Sequence, residues 1–134
     1  MIIMQITGNI TPEFVDDRGG ITKLLDDGKT NIKSILMMTS KPGAIRANHY
    51  HKEDGHHVFL LTGSMEYYEA PLVDGVPDLT KMEMRIVKAG DSVFSPPMVA
   101  HAMKFLEDTT CFVFALKSRS QGDYEQDTVR VKLI

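Results

Sequence analysis

The apolar residues of this chain come in short runs that alternate with polar ones and stop at turn residues. Within residues 81–87, Met82, Met84 and Ile86 share one face, and Glu83 and Arg85 the other. That period of two marks a half-buried strand, because successive strand side chains point to opposite faces. No stretch of ten or more residues keeps a helical period. The runs are separated by Asp16-Asp17-Arg18-Gly19-Gly20, Asp26-Asp27-Gly28-Lys29, Lys41-Pro42-Gly43, Asp74-Gly75-Val76-Pro77, Ala89-Gly90-Asp91 and Pro96-Pro97. These residue types supply the dihedrals of tight turns. Strands are therefore expected over residues 1–7, 21–25, 32–39, 45–51, 58–61, 65–69, 81–87, 93–94 and 110–116, with Val129, Val131 and Leu133 alternating at the end. Segments 58–61 and 65–69 sit at hairpin spacing about Gly63. In 110–116, Phe112, Phe114 and Leu116 share a face. Segment 118–127 is polar. Many short strands joined by turns make an all-β sandwich or barrel.

A length of 134 residues suits one domain, residues 1–134. Lys and Arg number 15 against 18 Asp and Glu, a net charge of −3, so the chain has no broad basic surface for nucleic acid or an anionic membrane. A single cysteine, Cys111, cannot form an internal disulfide and calls for no oxidising compartment. No apolar run approaches the ~20 residues of a membrane span. The first residues lack the basic flank and long apolar core of a signal peptide. The expected address is cytoplasmic and the expected partner is a small molecule.

Four of the five histidines, His49, His51, His56 and His57, fall between positions 49 and 57, and the fifth is His101. In a strand, His49 and His51 point to the same face. His56 follows a short turn, so a hairpin would bring it back beside His51. His57 is out of phase with His56 and is read as a bystander. His101 lies fifty residues after His51, on a strand expected to pair elsewhere in the sheet. Neutral imidazoles converging in a barrel suit a divalent transition metal, whether iron, nickel, zinc, manganese or copper, and a six-coordinate ion would keep two positions open for substrate. The competing reading is a metal-free site in which histidines do acid–base work.

Gly43, His49, His51, His56 and Gly63 stand at the spacing of the first motif of the cupin superfamily, G-x5-H-x-H-x3–4-E-x6-G. Gly90, Pro96, Met98 and His101 resemble the second, G-x5-P-x-G-x2-H-x3-N. The two cover about half the chain, from Gly43 to Phe105. The resemblance implies a single-domain jelly-roll β-barrel, a homodimer, and a metal held by His49, His51, His56 and His101. Three positions depart from the pattern. His56 stands where most cupins have glutamate, which removes a negative charge and softens the donor set. Met98 replaces the motif glycine, and Phe105 the asparagine.

A narrower set, Asp17-Arg18-Gly19, Ile32-Lys33-Ser34, the stretch Lys41-Pro42-Gly43-Ala44-Ile45-Arg46-Ala47-Asn48-His49-Tyr50-His51-Lys52, Ser95-Pro96-Pro97 and Asp123-Tyr124, is similar to the nucleotide-sugar 3,4-ketoisomerases among the cupins. That resemblance implies acid–base catalysis by His49 and His51 with Arg46 near the substrate. Ala47 and Tyr50 replace that group's Gly and Ala, and Ser34 its strand arginine. Arg46, Tyr68, Met98 and Met103 are the expected pocket wall. Two other readings stand beside a sugar isomerase or epimerase: a metal-dependent dioxygenase, and a cupin that binds or senses a small ligand without turnover. The terminal segments 1–6 and 129–133 are candidates for pairing across a dimer, and Cys111 reads as an inert buried thiol.

Overall fold

The computed structural model describes residues 4–134, Gln121 by its backbone alone. The chain runs β1 (Gln5–Thr7), β2 (Phe14–Asp16), β3 (Gly19–Ile21), β4 (Ser34–Ser40), β5 (Ile45–His51), β6 (His56–Thr62), β7 (Ser64–Ala70), β8 (Leu72–Val73), β9 (Val76–Pro77), a 3-10 turn at Leu79–Lys81, β10 (Glu83–Lys88), β11 (Ser92–Ser95), β12 (Ala100–Phe105), β13 (Thr109–Ala115), α1 (Gln121–Asp127) and β14 (Thr128–Arg130). One antiparallel sheet has the order β1-β11-β6-β13-β4 and a second the order β10-β7-β12-β5-β14. The chain changes sheet at each step from β4 through β7 and again at each step from β10 through β14. This is a jelly roll of two packed antiparallel sheets, with β1 and β4 at the edges of one and β10 and β14 at the edges of the other. Val58 and Leu60 from the first sheet pack on Met65, Tyr67, Met103 and Phe105 from the second.

Several elements differ from the alternation pattern. β6 and β7 do not form a hairpin, because the turn between them carries the chain from one sheet to the other. Gly63 makes that crossing at φ 88°, with Thr109 packed so close that an added Cβ would overlap it. No strand covers residues 21–25. Instead Ile21 closes a β2–β3 hairpin whose tip is held by Asp16 accepting from the Arg18 backbone N–H at 2.9 Å. Of the expected first strand, residues 1–3 lie outside the described residues. Its described part, β1, pairs with β11 of the same chain, and β14 pairs with β5. Each is the edge strand of its sheet, paired on one side within the chain. In β13 the small residues Cys111, Val113 and Ala115 turn inward, and Phe112 and Phe114 turn away from the core. Helix α1 was invisible to periodicity because its seven residues are too few to repeat a pattern.

Candidate active site

β5 is built around a bulge. His101 pairs with His49 and Ala102 with Ala47, so Asn48 has no partner across the ladder. Ala47 and Asn48 both take left-handed backbone, at φ 67° and 53°. An extra residue shifts the phase of a strand by one. Arg46, opposite the core residue Met103, and His49, opposite His101, therefore both face the interior although they are three apart. Asn48 itself ties the bulge to the chain's end: its Oδ1 accepts from the backbone N–H of Leu133 at 3.0 Å.

His101 was expected on a strand pairing elsewhere. β12 is in fact the direct neighbour of β5. The rings of His49 and His51 lie 4.5 Å apart, and those of His49 and His101 4.7 Å. One nitrogen from each of His49, His51 and His101 falls within 4.8 Å of the others. The Nε2 atoms of His51 and His101 are buried with no hydrogen-bond partner. An unpaired buried nitrogen is costly, so such a pair marks a place where something polar or cationic binds.

Burial, then the neighbouring histidines, holds His49 at about 3. Burial chiefly, with His56 adding, lowers His51 to about 4, against the opposing pull of Asp54 and Asp127. His101 is pushed well below the usual range by complete burial and by the other imidazoles. All three are neutral at pH 7 and can act as ligands.

His56 reaches the same cluster, its ring 4.7 Å from that of His51, although β5 and β6 lie in different sheets. Its Nε2, however, is 2.8 Å from Asp54 Oδ2. Asp54 Oδ1 also accepts the backbone N–H groups of Gly55, Leu116 and Lys117. Burial raises the Asp54 carboxyl, but the bond to His56 and its charge outweigh this and leave it below the ordinary carboxylate value. The four histidines thus form two overlapping groups that share His51: His49, His51 and His101, and His51 and His56 with Asp54. His57 faces the other side of β6, with its ring 4.4 Å from Phe94.

The cavity over the cluster measures about 500 Å³, a size that takes a drug-sized ligand. His49, His56, His101, Arg46 and Met103 line it. Arg46 is braced on β4, its Nε donating to Ser40 Oγ at 2.8 Å and its guanidinium to Thr39 O at 2.9 Å. Tyr68 and Met98 are corrections to the expected wall. Tyr68 packs with Tyr50 and Ala70 behind the second sheet, and its hydroxyl donates to Glu66. Met98 is half exposed on the β11–β12 loop.

Sequence alone missed Arg119, and it met Tyr124 only as part of the narrower resemblance, without a place in the site; the two complete the mouth, the guanidinium 4.2 Å from the ring centroid. It also missed Asp127, whose Oδ2 lies 3.5 Å from His51 Nδ1. Nor did it single out the buried pair inside the barrel, where the Tyr67 hydroxyl donates to Glu69 at 2.5 Å and sits 2.7 Å from Ser95 Oγ. Burial first of all raises both the Tyr67 hydroxyl and the Glu69 carboxyl.

No protein-family model matches the chain, and no curated protein matches it in sequence. Solved structures do resemble it. A 3,4-ketoisomerase from Helicobacter canadensis superposes with a TM-score of 0.73 at 21% identity, over 97% of this chain and 92% of its own. A sugar 3,4-ketoisomerase from Thermoanaerobacterium thermosaccharolyticum, in complex with TDP, gives 0.68 at 20% identity, over 95% and 87%. The dTDP-4-dehydrorhamnose 3,5-epimerase from Sulfolobus tokodaii gives 0.67 at 21% identity, over 82% and 69%. At such identities the likeness establishes the fold.

Proposed function

We propose that this chain, which has the cupin fold, is an isomerase or epimerase of a nucleotide-linked sugar that carries a carbonyl, and that His49, His51 and His101 hold a divalent transition metal. One observation carries the reading. Two buried imidazole nitrogens without partners, on His51 and His101, converge with His49, and His49 and His101 line a cavity that two arginines flank. Three neutral imidazoles are a fitting donor set for zinc, iron, nickel or copper. Bound there, such an ion supplies a Lewis acid for a carbonyl oxygen.

The remaining work falls to the chain's own residues. Moving a carbonyl along the ring, or inverting the carbon beside it, needs a base that takes the proton from that carbon and an acid that delivers a proton to the neighbouring carbon or to the opposite face. His56 lines the cavity. With its Nε2–H donated to Asp54, the lone pair sits on Nδ1, and that atom receives the proton. Asp54, fixed by three backbone N–H groups, holds the ring's tautomer and stabilises the cation that forms, as a buried carboxylate does behind any catalytic histidine. Arg46 and Arg119 set positive charge along the cavity, which suits the anionic diphosphate that the substrate keeps throughout. The ketoisomerase and epimerase folds named above support the same substrate class.

The test combines metal analysis with isotope exchange. Untagged protein is expected to carry about one transition-metal ion per chain, and its His101→Ala variant none. In deuterated buffer with a 4-keto nucleotide sugar, the wild type is expected to exchange the proton beside the carbonyl. His56→Ala is expected to lose that exchange by about a hundredfold, the usual order for a general base, while keeping its metal. Wild-type protein that binds no metal, or one that consumes oxygen without exchange, would overturn the reading.

A further inference from the structure

One row of side chains crosses three neighbouring strands of the second sheet. His49 on β5, His101 on β12 and Glu69 on β7 are successive ladder partners. Directly opposed residues stand about 4.5–5.5 Å apart at Cβ, so Glu69 is the histidine cluster's neighbour on that side. Glu69 and His101 are each 1% exposed.

Nothing among the described residues neutralises the Glu69 carboxyl. Its one hydrogen bond there comes from the Tyr67 hydroxyl, a neutral donor. It belongs to none of the ion pairs among those residues. Its ladder partner on the far side, Glu83, has the same sign and is exposed on the edge strand β10. An anion buried without a cation is costly. The other two carboxylates beside the cluster have partners. Asp54 is held by His56 and three backbone N–H groups, and Asp127 accepts two N–H groups of the β5–β6 turn.

The histidine end of the row has the complementary defect. His49, His51 and His101 offer neutral nitrogens, two of them without a partner. A divalent ion held by these three alone would keep its whole charge in a buried place. The glutamate that most cupins have in the first motif is His56 in this chain. The oxygens of Glu69 are not among the ligand atoms that gather within 4.8 Å of one another.

We infer that Glu69 is the counter-charge of the three-histidine site, a carboxylate that offsets the ion's charge from the neighbouring strand without ligating it. The negative charge missing at position 56 returns at position 69. Tyr67 is its positioning residue. The Tyr67 hydroxyl ties Glu69 to Ser95 Oγ of the other sheet, 2.7 Å away, and its ring lies 6.4 Å from that of His101 with the planes 29° apart. The inference rests on the metal site proposed above and is independent of the proton transfer assigned to His56.

Metal affinity, measured by chelator competition, tests it apart from turnover. Glu69→Gln removes the charge and keeps the shape. It is expected to weaken zinc about ten- to a hundredfold, the usual order for an outer partner of a metal site, with an unchanged circular-dichroism spectrum. Silver(I), which carries half the charge, is expected to weaken only by about the square root of that factor, because the attraction is proportional to the ion's charge. Glu83→Gln, at the exposed end of the same row, is expected to leave both affinities unchanged. A folded Glu69→Gln protein that binds zinc as tightly as the wild type overturns the inference and leaves the metal site standing. Equal losses for zinc and silver also overturn it, since misplaced histidines would weaken both ions alike. A wild type that binds no zinc overturns the metal site and the inference together. If Glu69→Gln does not fold, Glu69→Leu with Tyr67→Phe replaces both partners of the bond by apolar groups, a change that buried sites tolerate, and the same zinc and silver comparison decides.

Discussion

At the scale of single residues, the two motif positions that depart from glycine keep a glycine's backbone. Ala47 and Met98 take φ of 67° and 61°, where an L-residue pays roughly 1–2 kcal/mol. At both, the strand–loop geometry around the histidines dictates the dihedral and the side chain endures it. Met98 is half exposed, so little packing opposes its removal, and its N–H bond to His51 O at 2.7 Å survives in glycine. Set against glycine's own entropic cost of roughly 0.5–1 kcal/mol, Met98→Gly is expected to stabilise the chain by about 0.5 kcal/mol, read by urea unfolding. A clear loss of stability would mean that the methionine packs on something that the single chain does not contain. Gly63→Ala is the opposite case. Its Cβ would overlap Thr109 Oγ1 and come within 2.5 Å of Asp108 O at a left-handed φ, so a loss of about 2 kcal/mol or more is expected. Wild-type stability in that variant would refute so tight a turn.

At the scale of elements, the sequence made the strands legible and their partners illegible. Alternation finds β7 and β13 because each has one buried face, whereas in β10 the alternating Met84 and Ile86 lie exposed and the out-of-phase Val87 is buried. It cannot report that β5 and β6 belong to different sheets, since a sheet change leaves no periodic trace. The histidines at 49 and 51 were readable as one face. The bulge that puts Arg46 on that same face was not, because Asn48 inserts no unusual residue type. Helix α1 was the costliest omission. It brings Tyr124 to the cavity and ends at Asp127, whose carboxylate accepts the Glu53 N–H at 2.8 Å and the Asp54 N–H at 3.1 Å and lies beside His51 Nδ1. One side chain thus pins the β5–β6 turn, sets the histidine's outer nitrogen and anchors the helix. Asp127→Ala is expected to cost roughly 1–3 kcal/mol for the bonds lost, and, through the misoriented His51, to weaken zinc binding by about tenfold or more. Denaturant unfolding and competition titration with a zinc chelator measure the two separately. A variant with lowered stability and unchanged zinc affinity would leave Asp127 a structural residue only.

At the scale of the whole molecule, a barrel that buries neutral imidazoles is stabilised by pH and by metal in linked ways. His49 and His51 titrate at about 3 and 4 in the fold, against about 6.5 in an unfolded chain. Between those values the unfolded state binds more protons, so stability is full above about pH 6.5 and falls as pH drops toward 4. In chelator-treated protein each such histidine contributes a slope of up to about 1.4 kcal/mol per pH unit, less for His49, which is partly open to solvent. Metal at those nitrogens binds the native state alone. At one hundred times its Kd it adds about 2.7 kcal/mol, which for a chain of this size, at roughly 3–4 °C per kcal/mol, raises Tm by about 10 °C. Protons compete for the same lone pairs, so that increment is expected at pH 7.5 and largely gone at pH 5. Melting curves at two pH values, with and without zinc, separate the two contributions. A zinc shift that persists in the His101→Ala variant would place the ion elsewhere than the three-histidine cluster.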